Sequence, residues 1–158
     1  MPFGLALCVC AQYVFFCVLP VCVCPSGVCI LFQLGQTIST SCLLLAPLVL
    51  QKCLLVCSMT SQPVNTLSWN VRGLNCPARR ATVSATIADS SCQIVCLQET
   101  KLDNVDKYVA AFLGGNRLKS FAQRPATGTR GGILLLWDDN VVEISGISTS
   151  AFCLSAMV

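Results

Sequence analysis

Two oxygen-bearing side chains stand at the ends of apolar stretches in this chain. Asn70 follows Leu67-Ser68-Trp69, and Glu99 follows Ile94-Val95-Cys96-Leu97-Gln98. A hard divalent cation such as Mg²⁺ (or Mn²⁺) takes oxygen ligands, usually one or two carboxylates together with substrate phosphate. An amide and a carboxylate at the ends of successive apolar segments, with a helix-length segment between them, therefore read as half of a site for phosphoryl chemistry. The other half decides whether the chain can react.

Three further residues belong to the same reading. Gln98 directly precedes Glu99 and is a candidate to orient it, with simple turn packing as the alternative. Arg72 and Arg130 sit in loop-like sequence and are candidate phosphate contacts, set against the reading of solvated loop arginines. Trp69 and Trp137 read as core, and Cys92 and Cys96 as small buried residues rather than nucleophiles. The chain has 13 cysteines but no histidine. No Cys-x₂-Cys pair occurs either, which argues against a zinc centre. A net charge of +3 leaves the partner undecided.

The elements that must position Asn70 and Glu99 follow from hydrophobic periodicity. Val64 to Val71 alternates as a strand with Trp69 toward the core and Asn70 on the other face. Arg72 to Asn75 is a turn, where Gly73 permits a positive φ. Asn75 is placed to cap a helix with Pro77 in its first turn and Val83 and Ile87 as its apolar stripe. Ile94 to Leu97 has the continuous apolar character of a strand buried on both faces. A second helix is expected from Asp103, with Asp106 at the capping-box spacing. Its buried face should hold Val105, Val109, Phe112 and Leu113, and Gly114-Gly115 should stop it. Ser120 to Gln123 is a short strand, Arg124 to Gly132 a loop, and Ile133 to Trp137 a buried strand. Asp138-Asp139-Asn140 is a turn, Val141 to Ile147 a strand, and Ala151 to Val158 the beginning of another, with Phe152, Leu154, Ala156 and Val158 on one face. The chain stops within that strand, which implies truncation.

Residues 1–60 are different in kind. Met1 to Gln51 has no charged side chain, and nine cysteines lie in the first 57 residues. A boundary is expected near Ser58 to Pro63, separating an apolar Cys-rich segment, 1–60, from an α/β region, 64–158. Phe3 to Cys24 has the length and apolarity of a membrane span, and Leu43 to Cys57 is a weaker candidate because of Lys52. A secretory signal lacks its basic n-region here. The remaining reading is translation of a thymine-rich stretch, whose codons favour Val, Leu, Phe, Ile and Cys.

With Trp69-Asn70-Val71-Arg72-Gly73-Leu74-Asn75, Leu97-Gln98-Glu99-Thr100-Lys101 and Gly131-Gly132-Ile133-Leu134-Leu135-Leu136-Trp137 in this order, residues 64–158 resemble the endonuclease/exonuclease/phosphatase superfamily. More narrowly, they resemble the endonuclease domain that opens plant LINE-type retrotransposon polyproteins. The resemblance implies an α/β fold, a four-layer sandwich of two sheets with helices outside, of which this chain would hold the N-terminal part. It implies that Asn70 lies near metal and phosphate, that Glu99 is the main Mg²⁺ ligand of the first half, and that the substrate is DNA. Later family motifs bring an Asp-x-Asn pair and a Ser-Asp-His, whose histidine acts on the water or phosphate. The chain has no histidine, and Asp138-Asp139-Asn140 comes too early in the order to be the Asp-x-Asn pair. The expected function is thus a fragment of a Mg²⁺-dependent endonuclease, inactive alone. The alternative is a non-catalytic remnant or chimeric product, membrane-associated through residues 3–24. Location is nuclear or cytoplasmic by resemblance, or at a membrane if that segment inserts; the oligomeric state is left open. Part of a sandwich would also leave one sheet's apolar face uncovered.

Overall fold

The computed structural model describes residues 5–10, 14–18, 52–57 and 64–158. In chain order these form β1 (Leu5–Cys10), β2 (Val14–Val18), β3 (Lys52–Cys57), β4 (Val64–Asn70), α1 (Pro77–Asp89), β5 (Ile94–Gln98), α2 (Lys107–Gly114), β6 (Ser120–Thr127), β7 (Arg130–Trp137), β8 (Ser145–Thr149) and β9 (Cys153–Met157). The strands make a five-stranded sheet in the order β3-β4-β5-β7-β6 and a four-stranded sheet in the order β2-β1-β9-β8. Within the first, β4 and β5 are parallel with α1 between them in sequence, while β3, β7 and β6 add antiparallel.

Alternation along β5 and β7 sorts the apolar side chains onto two faces. Val95, Leu97, Leu134 and Leu136 face the helices and share a core with Leu67, Trp69, Val83, Ile87, Ala110 and Leu113. Ile94, Cys96, Ile133, Leu135 and Trp137 face the other way and pack on Leu7, Val9, Leu154 and Ala156 of the four-stranded sheet. The fold is therefore α/β, built as a helix layer, a five-stranded sheet and a four-stranded sheet. Among the described residues both helices lie on the outer side of the five-stranded sheet. The inner face of that sheet is covered rather than bare, because β1 and β9 lie over it. Burial in this inter-sheet core pushes the Cys96 thiol far above its ordinary range, as befits a packing residue.

The N-terminal segment departs from the expected membrane helix. Residues 5–10 and 14–18 are strands, and β1 pairs with both β2 and β9. No helix among the described residues is long and apolar enough to cross a membrane; the rest of Phe3 to Cys24 lies outside the described residues. The physical reason is composition: Val9, Val14, Phe15, Phe16 and Val18 favour a pleated surface, and β9 supplies a partner edge. Likewise β3 pairs with β4 from Lys52↔Trp69 to Cys57↔Val64, across the expected boundary at Ser58 to Pro63. The rest of Leu43 to Cys57 lies outside the described residues.

Local chemistry explains the remaining shifts. The N-cap of α1 is Cys76, with Pro77 in the first turn; Asn75, expected there, sends its amide to Lys101 O at 3.3 Å instead. Arg117 ties down the exit of α1: its guanidinium donates to Ile87 O in the last turn at 3.3 Å, to Ser90 O at the C-cap at 2.8 Å, and to Cys92 O in the loop beyond. Asp106 itself caps α2, accepting from Tyr108 N–H at 2.9 Å and Val109 N–H at 2.8 Å. The helix starts after it and not at Asp103. The shorter helix buries Ala110, Leu113 and Gly114 and leaves Phe112 52 % exposed. Gly115, at φ +63°, stops it as expected.

The expected loop from Arg124 to Gly132 is instead a hairpin, β6 to β7, turning at Gly128 and Thr129. Pro125 is tolerated because β6 is an edge strand. The strand expected over Val141 to Ile147 lies further on as β8, because Asp138 O accepts from Val141 N–H at 3.1 Å and Val142 N–H at 2.9 Å and extends the turn. Phe152 is exposed, unlike the Leu154 and Ala156 expected on its face.

Leu135 is fully buried between the sheets, so Leu135→Ala should cost about 2–5 kcal/mol, read as a lower urea midpoint. Residues 64–158 expressed alone lose β1, β2 and β3 and leave β9 and β4 with open edges. They should show neither a cooperative melt nor sharp near-UV CD where the full chain shows both; a cooperative melt of the short form would contradict the covering role of β1.

Candidate metal and phosphate site

β4 and β5 run parallel and in register, Asn70 opposite Gln98. Asn70 ends β4, and Glu99 is the first residue after β5. The two sequence-predicted ligands thus sit side by side at the carboxyl ends of neighbouring parallel strands, the place where α/β sheets bind ligands. Both are half-buried.

The backbone at this end is unusual. Among the described residues, positive φ outside glycine occurs at Arg72 (+52°), Glu99 (+54°) and Lys101 (+56°), all in the loops that follow β4 and β5. Such conformations cost on the order of 1–3 kcal/mol each and gather at functional sites. Hydrogen bonds on both sides hold the Glu99 turn. Thr100 N–H donates to Gly132 O at 3.1 Å and Lys101 N–H to Gly131 O at 3.0 Å. On the other side, Leu74 N–H donates to Thr100 O at 2.8 Å, and the Asn75 amide takes Lys101 O.

Gly131 and Gly132 are required by this packing. Gly132 stands at φ +85°, and a Cβ there would overlap Thr100 Oγ1 and lie 3.1 Å from Lys101 N. Gly131 N–H lies 3.4 Å from Glu99 Oε2, a long contact that leaves the carboxylate largely uncommitted. Glu99 has no ion pair among the described residues.

The other site candidates divide. Gln98 donates to Ser68 Oγ at 3.0 Å. That bond runs to β4 and not to Glu99, so it ties the two strands beneath the site. Arg72 is exposed, and its N–H donates to Asn70 Oδ1 at 3.2 Å, which fixes the Asn70 amide. Arg130 is exposed at the start of β7, one residue from Gly131. Lys101 and Thr100 belong to this turn but were not singled out in the sequence. The Lys101 stem crosses the Arg72–Gly73 loop, its Cδ 3.3 Å from where a Gly73 Cβ would stand. Their signal was the Thr-Lys pair closing the Glu99 motif, beside Gly-Gly later in the chain.

Asp138-Asp139-Asn140 is indeed a turn and is remote. Asp138 Oδ1 accepts from Asn140 N–H at 3.1 Å and from its amide at 3.0 Å. Ile94 pairs with Trp137 while Gln98 pairs with Ile133, so this turn lies at the opposite end of β5, about 13 Å away at strand rise.

A family model for the endonuclease/exonuclease/phosphatase family matches residues 67–154, more than half of the chain. The chain belongs to that family. No curated protein matches it. Endonuclease/exonuclease/phosphatase members generally use divalent metal ions in phosphodiesterase or nuclease chemistry. The residues here fit one wall of such a centre: an uncommitted carboxylate, an amide held by Arg72 N–H, and cationic side chains around them. They do not make a closed cage, since no group of three His, Cys, Asp or Glu gathers among the described residues. That is the usual condition of Mg²⁺, which keeps waters and substrate oxygens.

Gly132→Ala should destabilise the chain by about 1–3 kcal/mol through the forced φ alone, with more from the overlap on Thr100. Urea unfolding measures this; an unchanged midpoint would mean that the Glu99 turn does not need the glycine.

Proposed function

We propose that this chain carries one wall of a Mg²⁺-dependent phosphodiesterase site, with Glu99 as a metal ligand and Asn70 as its amide neighbour at the reacting phosphate. The ancestral activity is that of a DNA endonuclease of the plant LINE retrotransposon type, and residues 64–158 are the N-terminal part of that domain. The observation that carries the reading is the strained, doubly held turn that presents Glu99 beside Asn70 at the strand ends.

Bound metal would supply charge neutralisation at the phosphate oxygens. The chain's own residues do the rest of what this wall can do. Glu99 offers carboxylate oxygen, Asn70 offers a fixed amide, and Arg72, Lys101 and Arg130 set a positive surround that draws a phosphodiester backbone. Gln98 keeps β4 and β5 in register under both ligands.

Hydrolysis also needs a group that takes a proton from water, commonly worth about 10²–10⁴ in rate. The 158 residues contain no histidine, and Asp138 and Asn140 are bonded to each other at the far end of the sheet. The chain by itself therefore binds metal and nucleic acid without cleaving it.

Supercoiled plasmid incubated with the full chain and Mg²⁺ should stay intact over hours, while Mn²⁺ binding followed by electron paramagnetic resonance should weaken at least about tenfold in Glu99→Gln, a loss of about 1.4 kcal/mol. Nicking by this chain that disappears in Glu99→Ala would overturn the inactivity. Equal Mn²⁺ binding by both forms would overturn the ligand role.

A further inference from the structure

Phe152 is 75 % exposed. It lies at the tip of the β8–β9 hairpin, where Thr149 pairs with Leu154 and Ser150 N–H donates to Cys153 O at 2.9 Å, leaving Ala151 and Phe152 as the loop. Single exposed apolar side chains are ordinary on protein surfaces. What sets this one apart is how its loop is held and where.

Arg124, on β6, donates Nε–H to Ser150 O at 2.9 Å and Nη2–H to Ala151 O. The tip of one sheet's hairpin is thereby fastened to the other sheet. The same guanidinium reaches the Glu99 turn: Nη1 lies 3.4 Å from where a Gly131 Cβ would stand, and Gly131 N–H is 3.4 Å from Glu99 Oε2. Tip, guanidinium, glycine and carboxylate form one continuous run at the same end of the molecule. With two of its donors engaged by backbone carbonyls, Arg124 is poorly free to grip phosphate. Its work is to hold the tip.

We infer that Phe152 is the base-contacting residue of the site, stacking on a nucleobase next to the phosphodiester, and that Arg124 is its positioning residue. The inference rests on the phosphodiesterase reading and deepens it: the substrate is recognised through a base as well as through phosphate. An aromatic side chain on a loop fastened beside a cationic, metal-binding edge matches the two parts of a nucleotide, and every base has a π-face to offer it. A phosphate ester without a ring would leave Phe152 with nothing to cover it.

The test uses the full chain with Mg²⁺ and a single-stranded DNA oligonucleotide carrying 2-aminopurine, read by anisotropy for affinity and by fluorescence quenching for stacking. Binding should quench the probe. Phe152→Ala should weaken binding about tenfold, within the range for one lost stack, and remove the quench, while Phe152→Trp keeps both. Arg124→Ala should also lose the quench, with near-UV CD reporting whether the fold is intact; Phe152→Ala, at an exposed tip, carries the test if it is not. Unchanged affinity and quench in Phe152→Ala would overturn the stacking role while leaving the phosphodiesterase reading in place. Failure of the unmodified chain to bind the oligonucleotide at low salt would overturn that reading, and this inference with it.

Discussion

Everything at the candidate site hangs on a backbone turn that side-chain-bearing residues resist. β5 is a fully buried strand that must end where Glu99 is presented, and the chain leaves it through left-handed backbone at Glu99 and again at Lys101. Two such positions cost on the order of 2–6 kcal/mol together. Four hydrogen bonds, to Gly131, Gly132, Leu74 and Asn75, return on the order of 0.5–1.5 kcal/mol each. The balance is close, so the turn persists only while both neighbouring loops are in place. Gly131–Gly132 thus acts on Glu99 chiefly through the backbone: it lets the start of β7 approach closely enough to accept the N–H groups of Thr100 and Lys101.

Beneath this turn the inter-sheet face of the five-stranded sheet changes character along its length. Ile94 and Cys96 pack against aliphatic side chains of the second sheet. One step further along, Gln98 and Ser68 are buried yet polar and satisfy one another. Burying such a pair is tolerable when it is hydrogen-bonded and costly when it is split. It therefore marks the passage from a packing core to a region where polar groups are wanted, while fixing the register that sets Asn70 beside the Glu99 turn.

Much of this was legible in the residues. The alternation of Leu67 and Trp69 and the unbroken run of Ile94 to Leu97 place β4 and β5, and the oxygen-bearing residues that follow them mark the site's end of the sheet. What could not be read was conformation that tertiary contacts impose. Nothing local distinguishes Glu99 or Arg72 as left-handed, since neither is glycine or asparagine. Pro125 argued for a loop, and only the edge position of β6 makes it a strand residue. Asp103 and Asp106 both look like helix caps, and the choice fell to the carboxylate that reaches two free N–H groups. The apolar run at the start was long enough for a lipid bilayer, yet its described parts are strands, because aliphatic periodicity does not distinguish a lipid environment from a second sheet waiting for a partner.

That last feature has a kinetic side. Ala6 stands opposite Met157, so the middle of the four-stranded sheet joins residues from nearly the full span of the chain. Loop closure on that scale must precede the contacts that reward it, which slows folding and prolongs the exposure of unpaired edges. On a ribosome, β1 and β2 emerge long before β9, an apolar pair of strands without the one that joins them to the rest of their sheet. The helix-covered sheet, whose β4, α1 and β5 are contiguous, can assemble early. The second sheet is then the late-forming unit, and the inter-sheet core is where a half-made molecule would be recognised by chaperones or lost to aggregation.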